Sequence, residues 1–303
     1  MRRAIASLRP LWGGLMGLLL LLVAVEVILG LIPGLPPLRL EPGYLLPLVG
    51  FSALLALTLL CNVAPRPSRR EPVELESPVR GEWVAMNSPG QRLPSHGTLT
   101  RGQFSAVDVC TPADERTPPL VHGGLLGDRP ERYGAFGRPI RSMAAGVVIR
   151  VRDGQRDHRA RSTWPALLWM MTGEAMLREI GGTRKVLGNH VVVDHGDGTF
   201  AAYAHVRRGT AAVREGDRVA AGQVLAEVGN TGNSSMPHLH VQLMDRARTD
   251  AASGIPMRWR GIEPTGRLDP VFAQYAKEPA ASALAGMPRN GEVFTAPPEP
   301  GAG

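Results

Sequence analysis

Between Leu11 and Ile32 the chain carries a single charge, Glu26, in an otherwise apolar run. A backbone that enters hydrocarbon must satisfy its own hydrogen bonds, and a helix of about 20 residues does so across a bilayer. A second run, Tyr44 to Ala64, has no charge at all. These runs predict two transmembrane helices, about 11–32 and 44–64, within a membrane anchor formed by residues 1–64. A Pro-rich hairpin, Pro33 to Gly43, would join them. A cleaved signal peptide is the other reading of the first run, but its apolar stretch is too long and no small-x-small cleavage site is clear.

Charge placement conflicts with the chemistry developed below. Arg2, Arg3 and Arg9 flank the first run, Arg66, Arg69 and Arg70 follow the second, and the hairpin offers only Arg39. The positive-inside tendency would leave both ends, and everything after residue 65, in the cytoplasm. The site chemistry instead belongs outside, so the expected localisation is the cell membrane, spanned twice, with an extracytoplasmic globular domain. The net charge of +7 comes almost wholly from arginine, Lys185 and Lys277 being the only lysines. These cations are scattered and belong to no nucleic-acid-binding motif, so no nucleic-acid partner is expected. Cys61 and Cys110, the only cysteines, can build neither a disulfide framework nor a thiolate zinc cluster.

After the apolar runs, Pro65 to Pro78 is rich in Pro, Arg and Glu, which reads as a linker over 65–81. The folded domain is expected from Glu82 to residue 276, and its patterning is mainly β. Short strands are predicted at Phe104–Val109, within Gly134–Val151, and at His190–Asp194, Thr199–Val206, Arg218–Val219, Val224–Val228 and His238–Met244, separated by Gly and Asp turns. Such spacing argues for a β-sheet or sandwich. One helical insertion interrupts it at about 164–180, with Pro165 at its start and Gly181-Gly182 at its end. Its Leu, Trp and Met residues suit packing on the sheet; contact with a membrane surface or a partner is the other reading. Residues 277–303, rich in Ala, Pro and Gly, are expected to form a disordered tail.

The chemistry concentrates in Asn230 to Asp245. His238, His240 and Gln242 share one parity, and Leu239, Val241 and Leu243 the other. On a strand this puts an apolar face on a core and two imidazoles side by side over a cleft. Asp108 ends an apolar strand, and Tyr203 and His205 share the parity of another. A carboxylate and several imidazoles at strand positions of one small domain are the inventory of a hydrolytic zinc site, which needs N/O ligands, an open position for water and bases within reach.

Gly188-Asn-His-Val-Val-Val-Asp-His-Gly-Asp-Gly198, Tyr203-Ala-His205, Gly216 to Ser235 and Pro237-His-Leu-His240, in that order, closely resemble the lysostaphin-type (LytM-like) zinc endopeptidases. The resemblance spans roughly 85–250. It implies an antiparallel β fold with a groove, zinc as cofactor, and cleavage of peptide bonds in peptidoglycan or related glycine-containing envelope peptides. In that family a His-x-x-x-Asp element and the second His of His-x-His hold the zinc. Position by position, Asp108 and His240 take the ligand places, and His205 and His238 those of the catalytic imidazoles.

One position departs from the pattern. Phe104 stands where the first ligand His of His-x-x-x-Asp should be. His96, in Ser-His-Gly-Thr, could reach in from its loop and restore a set of two histidines and one carboxylate. Gln103 could offer a weak amide oxygen, although its parity is wrong for a regular strand. Otherwise the metal site is lost, and the domain is a catalytically inactive module that binds peptidoglycan or an envelope protein partner. A biotinyl or lipoyl carrier, suggested by Gly216 to Val228, lacks the required hairpin lysine, because Lys185 and Lys277 both lie outside that segment.

Overall fold

The computed structural model describes residues 1–32 and 45–298, without the side chains of 45–47. The expected hairpin Pro33 to Gly43, the start of the second run at Tyr44, and residues 299–303 lie outside the described residues. A short helix, α1 (Arg2–Ser7), leads into α2 (Arg9–Leu31), and α3 (Leu45–Asn62) packs along α2. Among the described residues, α2 is the one helix long and apolar enough to cross a membrane; the described apolar part of α3, Leu48–Asn62, is shorter. Arg9 is 1% exposed and donates to the carbonyls of Cys61 and Val63 at 2.8 and 2.9 Å. The foot of α2 and the end of α3 therefore meet. The foot of α2 also meets the globular part, where Arg9 lies 3.9 Å from Asp250, and α1 does so through Arg3, which pairs with Asp245 at 2.5 Å.

The globular part contains β1 (Val73–Glu76), β2 (Gly81–Met86), β3 (Val107–Cys110), β4 (Pro139–Arg141), β5 (Gly146–Arg152), β6 (His190–Asp194), β7 (Phe200–Ala204), β8 (Arg218–Val219), β9 (Val224–Glu227), β10 (Leu239–Met244), β11 (Met257–Arg260), β12 (Glu263–Leu268) and β13 (Glu292–Ala296). Nine of them form one antiparallel sheet in the order β12-β13-β2-β3-β10-β7-β6-β5-β8. Two small sheets, β4-β9 and the parallel pair β1-β11, complete the architecture. The core forms where side chains of the large sheet, such as Val109, Val191, Tyr203 and Val241, meet Ile140, Leu225, Met257 and Trp259 of the small ones. The mainly β, antiparallel expectation holds.

Both ends of the domain lie further out than composition suggested. The expected linker over 65–81 contains β1, whose Leu75 is 5% exposed and enters the core while Val73 pairs in register with Met257. Alternation in Val-Glu-Leu-Glu supplies the inward side chain. The expected disordered tail contains β13, which fills the place between β12 and β2 with Val293 and Phe294 fully buried. Burying those two apolar side chains and pairing both edges offsets the ordering entropy that the Ala, Pro and Gly content suggested would win.

The insertion is helical, as expected, but its contacts are different. α4 (Trp164–Trp169) runs through a π-helical turn, Met170–Glu174, into α5 (Ala175–Ile180), followed by α6 (Thr183–Leu187). The end of α5 packs on α2, where the sequence reading placed the insertion on the sheet. Gly13 and Gly17 make the room, since a Cβ on Gly17 would stand 2.8 Å from Cγ2 of Ile180.

Candidate metal centre

Strand register builds the centre. β10 and β3 are neighbours, and their ladder sets His240 directly opposite Asp108. Leu239, Val241 and Leu243 point into the core, so His240 and Gln242 occupy the other face. His240 Nδ1 lies 2.8 Å from Asp108 Oδ1. The other carboxylate oxygen, Oδ2, accepts from Asn87 Nδ2 at 2.7 Å and lies 3.1 Å from His96 Nε2.

His96 comes from a loop that is pinned beside the strand. The Ser95 amide donates to the Phe104 carbonyl at 3.0 Å, and the Ser95 hydroxyl donates to the Ala106 carbonyl at 2.5 Å. Phe104 itself does not lie on a strand: it belongs to a 3-10 turn, Thr100–Ser105, and β3 begins only at Val107. The expected strand over Phe104–Val109 is thus shorter, and parity does not govern residue 104. Gln103 lines the cleft, but the donor group forms without it. One donor atom each from His96, Asp108 and His240 lies within 4.8 Å of the others, and together they could hold a metal ion.

Hydrogen bonds on the far side of each ring fix where its lone pair points. Gln242 is fully buried and its amide nitrogen donates to the Arg101 carbonyl at 2.7 Å, which turns Oε1 towards His240 Nε2 at 3.0 Å. His240 donates to it from Nε2, and Nδ1 is left to face Asp108. In the same way Ser95 Oγ, its proton given to Ala106, accepts from His96 Nδ1 at 3.3 Å and leaves Nε2 facing Asp108. Two imidazole lone pairs and a carboxylate converge. Only a cation between them, a proton or a metal, makes that arrangement favourable.

His205 and His238 stand beside this group, their rings 4.8 Å apart, with His205 5.8 Å from His240. Each donates Nδ1–H to a backbone carbonyl at 2.7 Å, His205 to Thr231 and His238 to Met236, which leaves both Nε2 atoms free. His205 follows the end of β7 with φ of +61°, a left-handed conformation uncommon outside glycine. That turn breaks the parity expected for Tyr203 and His205. Tyr203 is buried in the core, its hydroxyl accepting from the Met143 amide at 2.7 Å, while His205 faces the cleft. The Thr231 carbonyl reaches His205 because Gly188 and Gly232 approach so closely that a Cβ on Gly232 would stand 2.3 Å from the Gly188 nitrogen.

Electrostatics separate the roles these groups can take. Burial works to raise the Asp108 carboxyl, but the charges of His96 and His238 and the hydrogen bonds from His240 and His96 outweigh it and hold it well below the ordinary range. Burial, with the charges of His238 and His240, pushes His205 well below its ordinary value. Burial also lowers His238, against the pull of Asp108. For His240 the hydrogen bond and charge of Asp108 overcome burial and raise it. The rings open on a cleft of about 240 Å³, lined also by Asn87, Met170 and Asn233. A groove of about 700 Å³ adjoins it across Asp108 and His238, with Tyr275 and Lys277 among its lining residues.

The donor set fits zinc. Nitrogen and oxygen ligands bind zinc at about 2.0–2.2 Å, so donors that share a tetrahedral ion stand about 3.3–3.6 Å apart. The contacts of 2.8 and 3.1 Å around Asp108, within a group spanning 4.8 Å, need shifts of an ångström or so to meet that spacing. Sequence reasoning named all five of these residues. It missed Asn87, whose φ of +45° after β2 turns its amide onto Asp108; an Asn just beyond an apolar strand was the available signal.

The profile of peptidase family M23 matches residues 171–251. The peptidoglycan DD-endopeptidase ShyA of Vibrio cholerae is 39% identical over 72 residues, covering 23% of this chain and 16% of that protein. The glycyl-glycine endopeptidase ALE-1 of Staphylococcus capitis is 36% identical over 80 residues, covering 26% of this chain and 22% of that protein. The chain therefore spans less than a quarter of the length of either relative. Against the catalytic domain of lysostaphin from Staphylococcus simulans, the structure aligns with a TM-score of 0.26 and 21% identity, covering 44% of this chain and 86% of that one. The profile covers the stretch that supplies His205, His238 and His240, and over that stretch the chain is similar to peptidase family M23 and to these two endopeptidases.

Proposed function

We propose that this protein is a membrane-anchored zinc endopeptidase that hydrolyses peptide bonds of peptidoglycan or a related envelope peptide. The observation that carries the reading is His96: its Nε2 stands 3.1 Å from Asp108 Oδ2, so a set of two histidines and one carboxylate persists although Phe104 occupies the usual ligand position. His96, Asp108 and His240 would hold the metal. Zinc, when bound, lowers the pKa of water and polarises a scissile carbonyl.

The remaining steps belong to the side chains. His205 is held neutral by burial and has a free Nε2, so it accepts the proton of the attacking water. His205 then passes the proton it has taken to the leaving amine, while His238, whose Nε2 lies 3.6 Å from Asp108 Oδ1, stands beside the developing oxyanion and donates to it only when protonated, a state that Asp108 favours and burial opposes. The adjoining groove gives an extended peptide room on the His238 side.

Packing supports the reading of two spans. The start of α2 and the end of α3 meet at the domain through Arg9, so a chain that crosses in α2 returns in α3. Arg3 and Arg9 are engaged by Asp245 and by the carbonyls of Cys61 and Val63, which accounts for their presence without a cytoplasmic signal. We place the domain outside the cytoplasm, where its substrate is.

The test is metal content and peptide hydrolysis by the full chain in detergent. His240→Ala and His96→Ala should lose stoichiometric zinc together with activity. His205→Ala should keep zinc near the wild-type level and lose turnover. A wild-type chain that carries no zinc and cleaves nothing would instead identify a tethered binding module.

A further inference from the structure

The insertion presents an apolar face that the rest of the described chain leaves open. Trp164, Leu168 and Met171 follow one another at helical spacing and are 69%, 66% and 68% exposed; Trp169 and Leu177 beside them are 52% and 56% exposed. A solvated surface seldom gathers so many large apolar side chains, two of them indoles. The other end of the same segment fixes where this face lies. Ile180 seats on Gly13 and Gly17 of α2, inside the apolar run that begins at Leu11. At a rise of 1.5 Å per residue, Gly17 is only about 9 Å along α2 from Leu11, so α5 ends at the depth where the apolar run starts.

Charge follows the same geometry. Trp169 and Leu177 share a surface groove with Arg156, Arg178 and Lys185, while Glu174 is engaged by Arg161 and Arg178 at 2.6 and 2.5 Å. Indole and aliphatic groups flanked by cations are the pattern of a helix that lies in a bilayer interface, its apolar side sunk about 5–10 Å to the acyl boundary.

We propose that α4 and the π-helical turn lie on the bilayer surface beside the point where α2 enters it, with Trp164, Leu168, Trp169 and Met171 facing lipid and the neighbouring cations facing anionic headgroups. This rests on the reading of α2 as a membrane anchor. Met170 in the same segment lines the metal-site cleft with His205 and His238, so a surface-bound insertion holds the cleft against the membrane and favours substrate strands nearest to it.

Tryptophan quenching tests both readings separately. The full chain is reconstituted in phosphatidylcholine–phosphatidylglycerol vesicles with and without brominated acyl chains. W12F leaves Trp164 and Trp169 as the tryptophans a lipid can reach, since Trp83 and Trp259 are 1% and 4% exposed. W164F/W169F leaves Trp12 on α2. The expected result is that bromination lowers the emission of W12F to an extent comparable with that of W164F/W169F. Quenching of W164F/W169F with none in W12F overturns the proposal and leaves the anchor standing, whether the face is then bare or covered by a second copy of the chain. Absence of quenching in both removes the anchor reading and the proposal with it.

Discussion

Replacing Gln242 with Leu isolates what one buried amide contributes to the candidate metal centre. The two side chains are close in volume, so no large cavity forms, and Gln242 touches no proposed metal ion. In the native protein it accepts from His240 Nε2 at 3.0 Å and donates to the Arg101 carbonyl at 2.7 Å, with no solvent to substitute for either bond. Leucine leaves the imidazole free to carry its proton on Nδ1, the nitrogen that faces Asp108, where it competes with a metal. Loss of such an outer hydrogen bond weakens metal binding by about 10–100-fold, which is about 1.4–2.7 kcal/mol. Unpairing the Arg101 carbonyl and His240 Nε2 costs the metal-free fold a further ~1–3 kcal/mol each. Gln242→Glu keeps an acceptor for His240 but sets a carboxylate oxygen against the Arg101 carbonyl. It should therefore bind metal more tightly than the Leu variant while the metal-free protein unfolds more easily. The assay is zinc competition against a chromophoric chelator on the full chain, with thermal unfolding of the stripped protein alongside. Zinc affinity of Gln242→Leu within about twofold of wild type would refute the argument that this amide sets the His240 tautomer.

Phe104→His in a His96→Ala background should fail to recover zinc binding, because residue 104 lies in the 3-10 turn rather than on β3; full recovery of metal content would show that the turn re-forms as strand. Glu174 is subject to burial, which raises it, but the hydrogen bonds and charges of Arg161 and Arg178 dominate and bring it down to about 2. Its folded-state value is depressed, so its contribution is complete above its ordinary value of 4.5, of the order of 3 kcal/mol at most, and is lost as pH falls towards about 2. The protection of amides 170–180 relative to their intrinsic exchange rates should fall across that interval and not in Glu174→Gln, where it should be low at every pH. Gly17→Leu should force Ile180 away from α2, read as faster exchange at 176–182 with little change in zinc content.

The sequence showed most of the centre and misplaced some of its surroundings. Alternation through His238 to Leu243 set the correct face because a strand buried on its Leu/Val side has no freedom to slip. Asp108 was visible as a carboxylate in an apolar stretch, although it stands near the start of β3 and not at the end of a strand. The manner of His96's arrival was not visible: it depends on a backbone bond between Ser95 and Phe104 that leaves no periodic mark. Parity failed at Tyr203 and His205 because one left-handed residue reverses the rule, and parity is blind to φ. Composition failed at both ends of the domain for a different reason. Val-Glu-Leu-Glu at β1 and Glu-Val-Phe-Thr-Ala at β13 are each strand-like, but their surroundings of Pro, Arg, Ala and Gly concealed them. They become strands because β11 in one case, and β12 and β2 in the other, supply open edges.

The packing of α1 has a practical consequence for anyone locating this protein in a cell. Arg3 and Ser7 contact Asp245 and Arg248, just past the strand that carries His240, so if α2 crosses a bilayer the first residues and the cleft share a compartment whichever way it crosses. An epitope added ahead of Arg2 and a thiol introduced on an outer loop of the sheet must then be labelled from the same side by an impermeant reagent, and either alone tells which side that is.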